Sequence, residues 1–146
     1  MKYSIIFESG LKPKPESHEL LAAQIVAEFY QCEVLFLRRK INKTPDLKIN
    51  REAWELKSSK GSSKRTIDNI LRTASKQSPN IMIYLGRCKM SERSVISKVN
   101  HYLDFNPHRV RKIRIIQQGH VYREKYTSYG IMEKMKNYLS TARVVF

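Results

Sequence analysis

Residues 45–57, "PDLKINREAWELK", decide how the rest of the chain is read. Two short runs alternate apolar and polar residues on either side of Asn50-Arg51, the pattern of a β-hairpin. With Asn50-Arg51 as a two-residue loop, residues whose numbers sum to 101 face each other. Asp46 then lies opposite Glu55 and Lys48 opposite Ala53, while Lys57 shares the face of Glu55. Leu47, Ile49, Trp54 and Leu56 take the other face, which is a core face. Only Glu52 and Ala53, beside the turn, fit this sorting loosely. Like charges opposed across a sheet cost up to about 1 kcal/mol, so Asp46 and Glu55 need a cation between them. Lys57 or Lys48 supplies one answer and a divalent metal another. A few hard oxygen ligands suit Mg²⁺ or Mn²⁺, which keep several waters for substrate and nucleophile. Such an ion polarises a phosphate and stabilises a leaving oxygen. Lys57 would then orient or deprotonate the attacking group, or offset charge on the phosphate. Water and, in RNA, the neighbouring 2′-OH are both candidate attackers.

Working outward, "HELLAAQIVAEFYQC" has the apolar spacing of an amphipathic helix, with Ser17 expected as its cap. Glu19 falls in its first turn, and Ala22, Ala23 and Val26 continue that face, small enough to let the helix approach a sheet. An acid there is also favoured by the helix dipole alone; Glu16 and Glu28 are weaker candidates. "EVLFLRR" (33–39) and "NIMIYL" (80–85) read as buried strands. Between hairpin and second strand lie a small basic loop, "SSKGSSKR" (58–65), and a helix, "TIDNILRTASKQ", ended by Ser78-Pro79. "MKYSIIFESG" opens the chain as a strand, its apolar run too short for a signal-peptide core. Further on come a helix capped by Ser91, two strands around Gly119 and a final helix in "YGIMEKMKNYL". In "HRVRKIR" (108–114), alternation would set Arg109 and Arg111 on one face as a second basic stripe, or simply as an exposed strand face. Nothing marks a domain boundary, so residues 1–146 are read as one domain, with a core at 17–85 and a C-terminal extension at 91–146.

Charge is the strongest bulk signal. Lysine and arginine number 28 against 13 acids, a net charge of +15, with a pI near 10. A compact chain with this excess repels itself, and a polyanion relieves that repulsion, nucleic acid being the commonest. No apolar run approaches the roughly 20 residues of a bilayer span. Cys32 and Cys88 form neither a framework nor a CxxC pair and are expected as reduced, half-buried thiols. The four histidines show no paired-ligand spacing. These features fit action in a cytoplasm.

Pro45-Asp46 followed by Glu55-Leu56-Lys57 resembles the PD-(D/E)xK signature of the restriction-endonuclease-like nucleases. The stretch "PDLKINREAWELKSSKG…TIDNILRTASKQSPNIMIYL" is similar, more narrowly, to the C-terminal tRNA-nuclease domains of contact-dependent inhibition (CdiA-type) toxins. The resemblance implies an α/β fold: a restriction-endonuclease-like core of helix, three strands, helix and strand, with a mixed central sheet flanked by helices. It implies metal-dependent cleavage of RNA, with tRNA favoured, by a toxin-type effector. It implies a cognate immunity protein as partner and delivery within a larger exported toxin. By the same resemblance Asp46, Glu55 and Lys57 are catalytic, and Glu19, Asp46, Glu55 and the Leu56 carbonyl hold Mg²⁺ or Mn²⁺. It would also place Lys60 over the phosphate and point Gln77 toward the site; the loop that holds Ser58, Lys60, Lys64 and Arg65, directly after Lys57, would contact substrate phosphates or be simply a solvated basic loop. The alternatives are a DNA endonuclease of the same fold, of the repair or restriction-like kind, and a non-catalytic basic nucleic-acid-binding module whose hairpin acids only pair with lysines.

Overall fold

The computed structural model describes residues 3–11, 13–39, 44–63, 65–106, 108–117 and 120–126, the last seven and Gln117 by their backbone. In chain order the elements are β1 (Ile5–Phe7), α1 (Ser17–Tyr30), β2 (Val34–Phe36), β3 (Leu47–Ile49), β4 (Glu52–Ser58), α2 (Thr66–Ala74), β5 (Asn80–Tyr84), α3 (Glu92–Phe105), β6 (Lys112–Gln117) and β7 (His120–Tyr126). Among the described residues these ten elements form a mixed α/β fold, and α1 to β5 follow the order helix, three strands, helix and strand. The expected final helix in "YGIMEKMKNYL" lies outside the described residues.

The seven strands make one sheet in sequential order. β1 and β2 are parallel, β3 is antiparallel to both its neighbours, β4, β5 and β6 are parallel, and β7 returns antiparallel. Helices cover both faces of this sheet. α1, crossing from β1 to β2, covers one face. Its Ala22, Ala23, Val26 and Ala27 are fully buried against Phe36, Leu47, Trp54, Leu56, Met82 and Tyr84. α2 and α3 cover the other face, with Ile67, Leu71, Val95 and Val99 against Ile81, Ile83, Ile113 and Ile115. The helices therefore lie on opposite faces on either side of the β3–β4 hairpin, and the site lies along the carboxyl ends of β2, β4 and β5.

The hairpin has the register that its sequence requires, with Leu47 opposite Trp54, Lys48 opposite Ala53 and Ile49 opposite Glu52. Asn50 and Arg51 both have positive φ, 48° and 68°, as a type I′ loop demands. Two expectations need correction. Helix α1 is capped by Glu16 rather than Ser17, because the Glu19 carboxylate accepts a hydrogen bond from the Glu16 backbone N–H at 2.7 Å and turns the chain one residue earlier. α2 stops at Ala74: Lys76 and Gln77 donate only three residues back, a tightened last turn forced by the approaching Pro79. Of the basic stretch at 108–114, Arg109 is exposed and Arg111 half-buried, while Arg114, outside the expected stripe, is 7% exposed, its guanidinium stacked on Tyr30 and Trp54 at 3.9 and 4.1 Å from the ring centroids. Lys112 is held by Glu52 at 2.6 Å.

Candidate active site at the carboxyl edge of the sheet

Asp46 sits just before β3, at this edge. Its backbone carbonyl accepts from Leu37 N–H at 2.9 Å, which ties it to the end of β2. Its Oδ2 accepts from the Leu56 N–H at 3.0 Å, and Arg39 Nη2 lies 3.8 Å from Oδ1. In an extended strand the N–H and C=O of one residue point to the same side, so the Leu56 carbonyl faces the Asp46 side of β4.

Glu55 is 3% exposed. Its Oε1 meets Lys57 Nζ at 2.7 Å, and its Oε2 is buried with no hydrogen-bond partner. Burial first, then the charge of Asp46, pushes the Glu55 carboxyl up to about 7, while Lys57 pulls the other way. The two carboxylates face each other as the register implies, and one lysine does not offset their repulsion. An orphaned buried carboxylate oxygen beside a second carboxylate is a donor set that fits a small divalent cation.

The remaining candidates are distributed around this centre. Glu19 and Asp46 line one cavity of about 180 Å³, together with Glu16, Lys14 and Arg39. Among the described residues no group of three His, Cys, Asp or Glu side chains is gathered as a metal cluster; Glu19 is engaged with the Glu16 backbone instead. Ser58 ends β4 and accepts from Arg87 Nε at 3.1 Å. Lys60 and Arg65 are exposed on the loop after it. Ser59 Oγ, which accepts from Gly61 N–H at 3.0 Å, and a 3.9 Å contact from Cys88 Sγ to the Gly61 carbonyl hold that loop. Lys64 lies outside the described residues. Gln77 is in the turn before β5, four residues ahead of Ile81, the neighbour of Glu55. Its Oε1 is buried without a partner, and it makes no hydrogen bond to the site's acids among the described residues.

Sequence reasoning missed Arg39, Arg87 and His18. The first two follow directly on buried parallel strands, and a cation just past such a strand falls at the ligand-binding edge, a signal that carries no motif. His18 was set aside with the other lone histidines.

The fold and site describe a mixed α/β domain with charged groups collected at the carboxyl edge of its sheet. The family model "Contact-dependent growth inhibition CdiA C-terminal domain" matches residues 43–121, and the chain belongs to that family of toxin domains. The chain is also similar in structure to a solved "CdiA-CT/CdiI toxin and immunity complex from Burkholderia pseudomallei", with a TM-score of 0.57 and 17% identity, over 85% of this chain and 98% of that one. No curated protein matches it. The membership covers the hairpin and the edge on which it sits. Among the described residues no helix is long and apolar enough to cross a membrane.

Proposed function

We propose that the chain is a metal-dependent nuclease of the PD-(D/E)xK, restriction-endonuclease-like type that cleaves RNA, with tRNA as its substrate. The observation that carries this is the Asp46–Glu55–Lys57 constellation: two opposed carboxylates, one with a buried unpartnered oxygen, and a lysine 2.7 Å away. The helix, three-strand, helix, strand order around it supports the same fold type. Family membership supports an effector role, and the net charge of +15 supports a polyanionic substrate.

Asp46, Glu55 and the Leu56 carbonyl would hold Mg²⁺ or Mn²⁺, with Glu19 reaching it from across the shared cavity. The bound ion would neutralise charge on the phosphate and stabilise the leaving oxygen. Lys57 then positions the attacking hydroxyl or water, and its charge offsets the negative charge that builds on the phosphate. Glu55 fixes the Lys57 ammonium in that place. Ser58, Lys60, Lys64 and Arg65 contact flanking phosphates, which set register rather than sequence preference. Gln77 contributes a polar contact from behind Glu55. Similarity to a toxin solved with its immunity protein supports a cognate immunity partner and delivery into the target cytoplasm from an exported protein.

The test is incubation of the full chain with total tRNA and with duplex DNA, in Mg²⁺, in Mn²⁺ and in EDTA. Cleavage of tRNA that requires the metal is expected. Cleavage of DNA alone would move the assignment to a DNA endonuclease. No cleavage of either, with salt-sensitive binding, would leave a non-catalytic binding module.

A further inference from the structure

Arg87 lies on the turn Leu85–Cys88, which leaves β5 at the same carboxyl edge where Lys57 and Ser58 end β4. The register places Ser58 beside Tyr84, and Cys88 N–H donates to the Leu85 carbonyl at 3.0 Å to close the turn. The turn is packed tightly onto the core, since a Cβ at Gly86 would collide with the Tyr84 ring, and Tyr84 is itself 3% exposed. The backbone just before Arg87 thus lies directly against the buried Tyr84 ring.

The Arg87 side chain is held by two contacts. Nε donates to Ser58 Oγ at 3.1 Å and Nη2 lies 3.1 Å from His18 Nε2. A guanidinium can only donate, so Nε2 accepts. His18 Nδ1 is then the protonated nitrogen and donates to Glu16 Oε2 at 3.2 Å. Glu16, His18, Arg87 and Ser58 form one chain of contacts that joins α1, the β5 turn and β4. Its purpose is not charge neutralisation, because Arg87 has no carboxylate partner among the described residues. An arginine carries five N–H donors, and the pair of contacts above leaves the outer side of the fork open.

A half-buried guanidinium with an open fork, pinned by the Ser58 that follows the lysine of the site at the end of β4, is built for a bidentate oxyanion. Resting on the nuclease assignment above, we infer that Arg87 is a substrate-binding residue that grips a phosphate of the polynucleotide next to the bond being cut. Ser58 and His18 are the positioning residues that aim it. Ser58 then acts on the substrate mainly through Arg87.

The experiment compares the wild-type chain with Arg87→Ala, Arg87→Lys and, as a control, Arg72→Ala. Arg72 is exposed near the far end of α2, and its guanidinium bonds Asn69 Oδ1. Binding of a tRNA probe is measured in EDTA by fluorescence anisotropy over a salt series, and cleavage is measured in Mg²⁺. Arg87→Ala should weaken binding about tenfold and raise KM more than it lowers kcat. It should also make the slope of log K against log salt shallower by about one unit. Arg87→Lys should restore the slope but not the affinity, because an ammonium lacks the fork. Arg72→Ala should leave the affinity close to wild type. Wild-type affinity, slope and KM in Arg87→Ala would overturn the inference. Should that variant melt far below the wild type, Arg87→Lys alone decides: wild-type affinity there overturns it and a loss at unchanged slope supports it. If the wild type binds through Arg87 but cuts nothing, the nuclease assignment fails while the phosphate site stands.

Discussion

The two ends of the β3–β4 hairpin are built from similar residues to opposite effect. At the turn end a connected set of polar groups is answered. Lys112 pairs with Glu52 at 2.6 Å, while Ser78 Oγ and Asn80 Nδ2 both donate to the Ala53 carbonyl, at 3.0 and 3.1 Å. Arg111 Nε donates to Asn80 Oδ1 at 3.2 Å. At the other end, a few residues away along β4, Asp46 and Glu55 are pressed together, one carboxylate oxygen is buried without a partner, and Arg87 keeps an open fork. The turn end holds the sheet together. The site end sets like charges against one another, and such conflict persists where an absent ligand resolves it.

The largest break in this comparison is expected at the site end. Asp46→Ala, Glu55→Gln and Lys57→Ala should each lower metal-dependent cleavage of tRNA by about a thousandfold or more, equivalent to roughly 4 kcal/mol of transition-state stabilisation. Each should leave the circular dichroism spectrum of the fold intact. Wild-type rates in Lys57→Ala would show that the nucleolytic centre lies elsewhere.

The same end should gain stability when it loses function. The Glu55 carboxyl is raised to about 7 by burial and by Asp46. A raised carboxyl binds its proton more tightly folded than unfolded. Its stabilising contribution is complete below the unfolded value of about 4.3 and is lost as pH climbs through about 7. In EDTA, ionising Glu55 therefore costs the wild type up to about 3 kcal/mol by pH 8. Glu55→Gln carries no titrating group, so it should be more stable than wild type at pH 8 by an amount that shrinks toward pH 4.5. Urea unfolding at the two pH values measures this, and Mg²⁺ should raise the wild-type midpoint at pH 8 without moving that of the variant.

At the turn end the sign reverses. Asn80 is 1% exposed and joins Ala53 to Arg111. Asn80→Ala leaves a buried carbonyl with one donor fewer and should cost about 2 kcal/mol of stability. Cleavage per folded molecule should stay at the wild-type level. A loss of rate without a loss of stability would erase the distinction between the two ends.

How much of this was legible in the sequence depends on whether the information was local. The hairpin register was legible because one pairing alone puts Leu47, Ile49, Trp54 and Leu56 together, and Asn50-Arg51 was the only break between the runs. The α3 cap was legible because Ser91 accepts from the Ser94 N–H at 3.2 Å, a contact within one turn. Asp46, Glu55 and Lys57 came with the hairpin. Arg87 was not legible, because what defines it is contact with His18 and Ser58, 69 and 29 residues away. Nor was the seat of Arg114 legible: strand alternation says that it points to one face but not that Tyr30 and Trp54 wait there. Helix ends were off by a residue or a turn wherever a side chain rather than the periodicity set them, as Glu19 does for α1.

The smallest effect is expected at the loop itself. Asn50 tolerates the left-handed conformation, but Arg51, with φ 68°, adopts it at a steric cost that glycine does not incur. Arg51→Gly would give the Asn-Gly pair that type I′ loops favour. The freed strain of about 1 kcal/mol is partly cancelled by the greater freedom of glycine in the unfolded chain, leaving a net gain of about 0.5 kcal/mol. A rise of a few degrees at most in melting temperature reports it. The same variant removes one positive charge from the edge opposite the site. If the +15 charge acted only in bulk, Arg51→Gly and Arg87→Ala would weaken tRNA binding alike. With the charge working by position, Arg51→Gly leaves affinity near wild type while Arg87→Ala does not, and that difference separates a diffuse polyanion attraction from a seat for one phosphate.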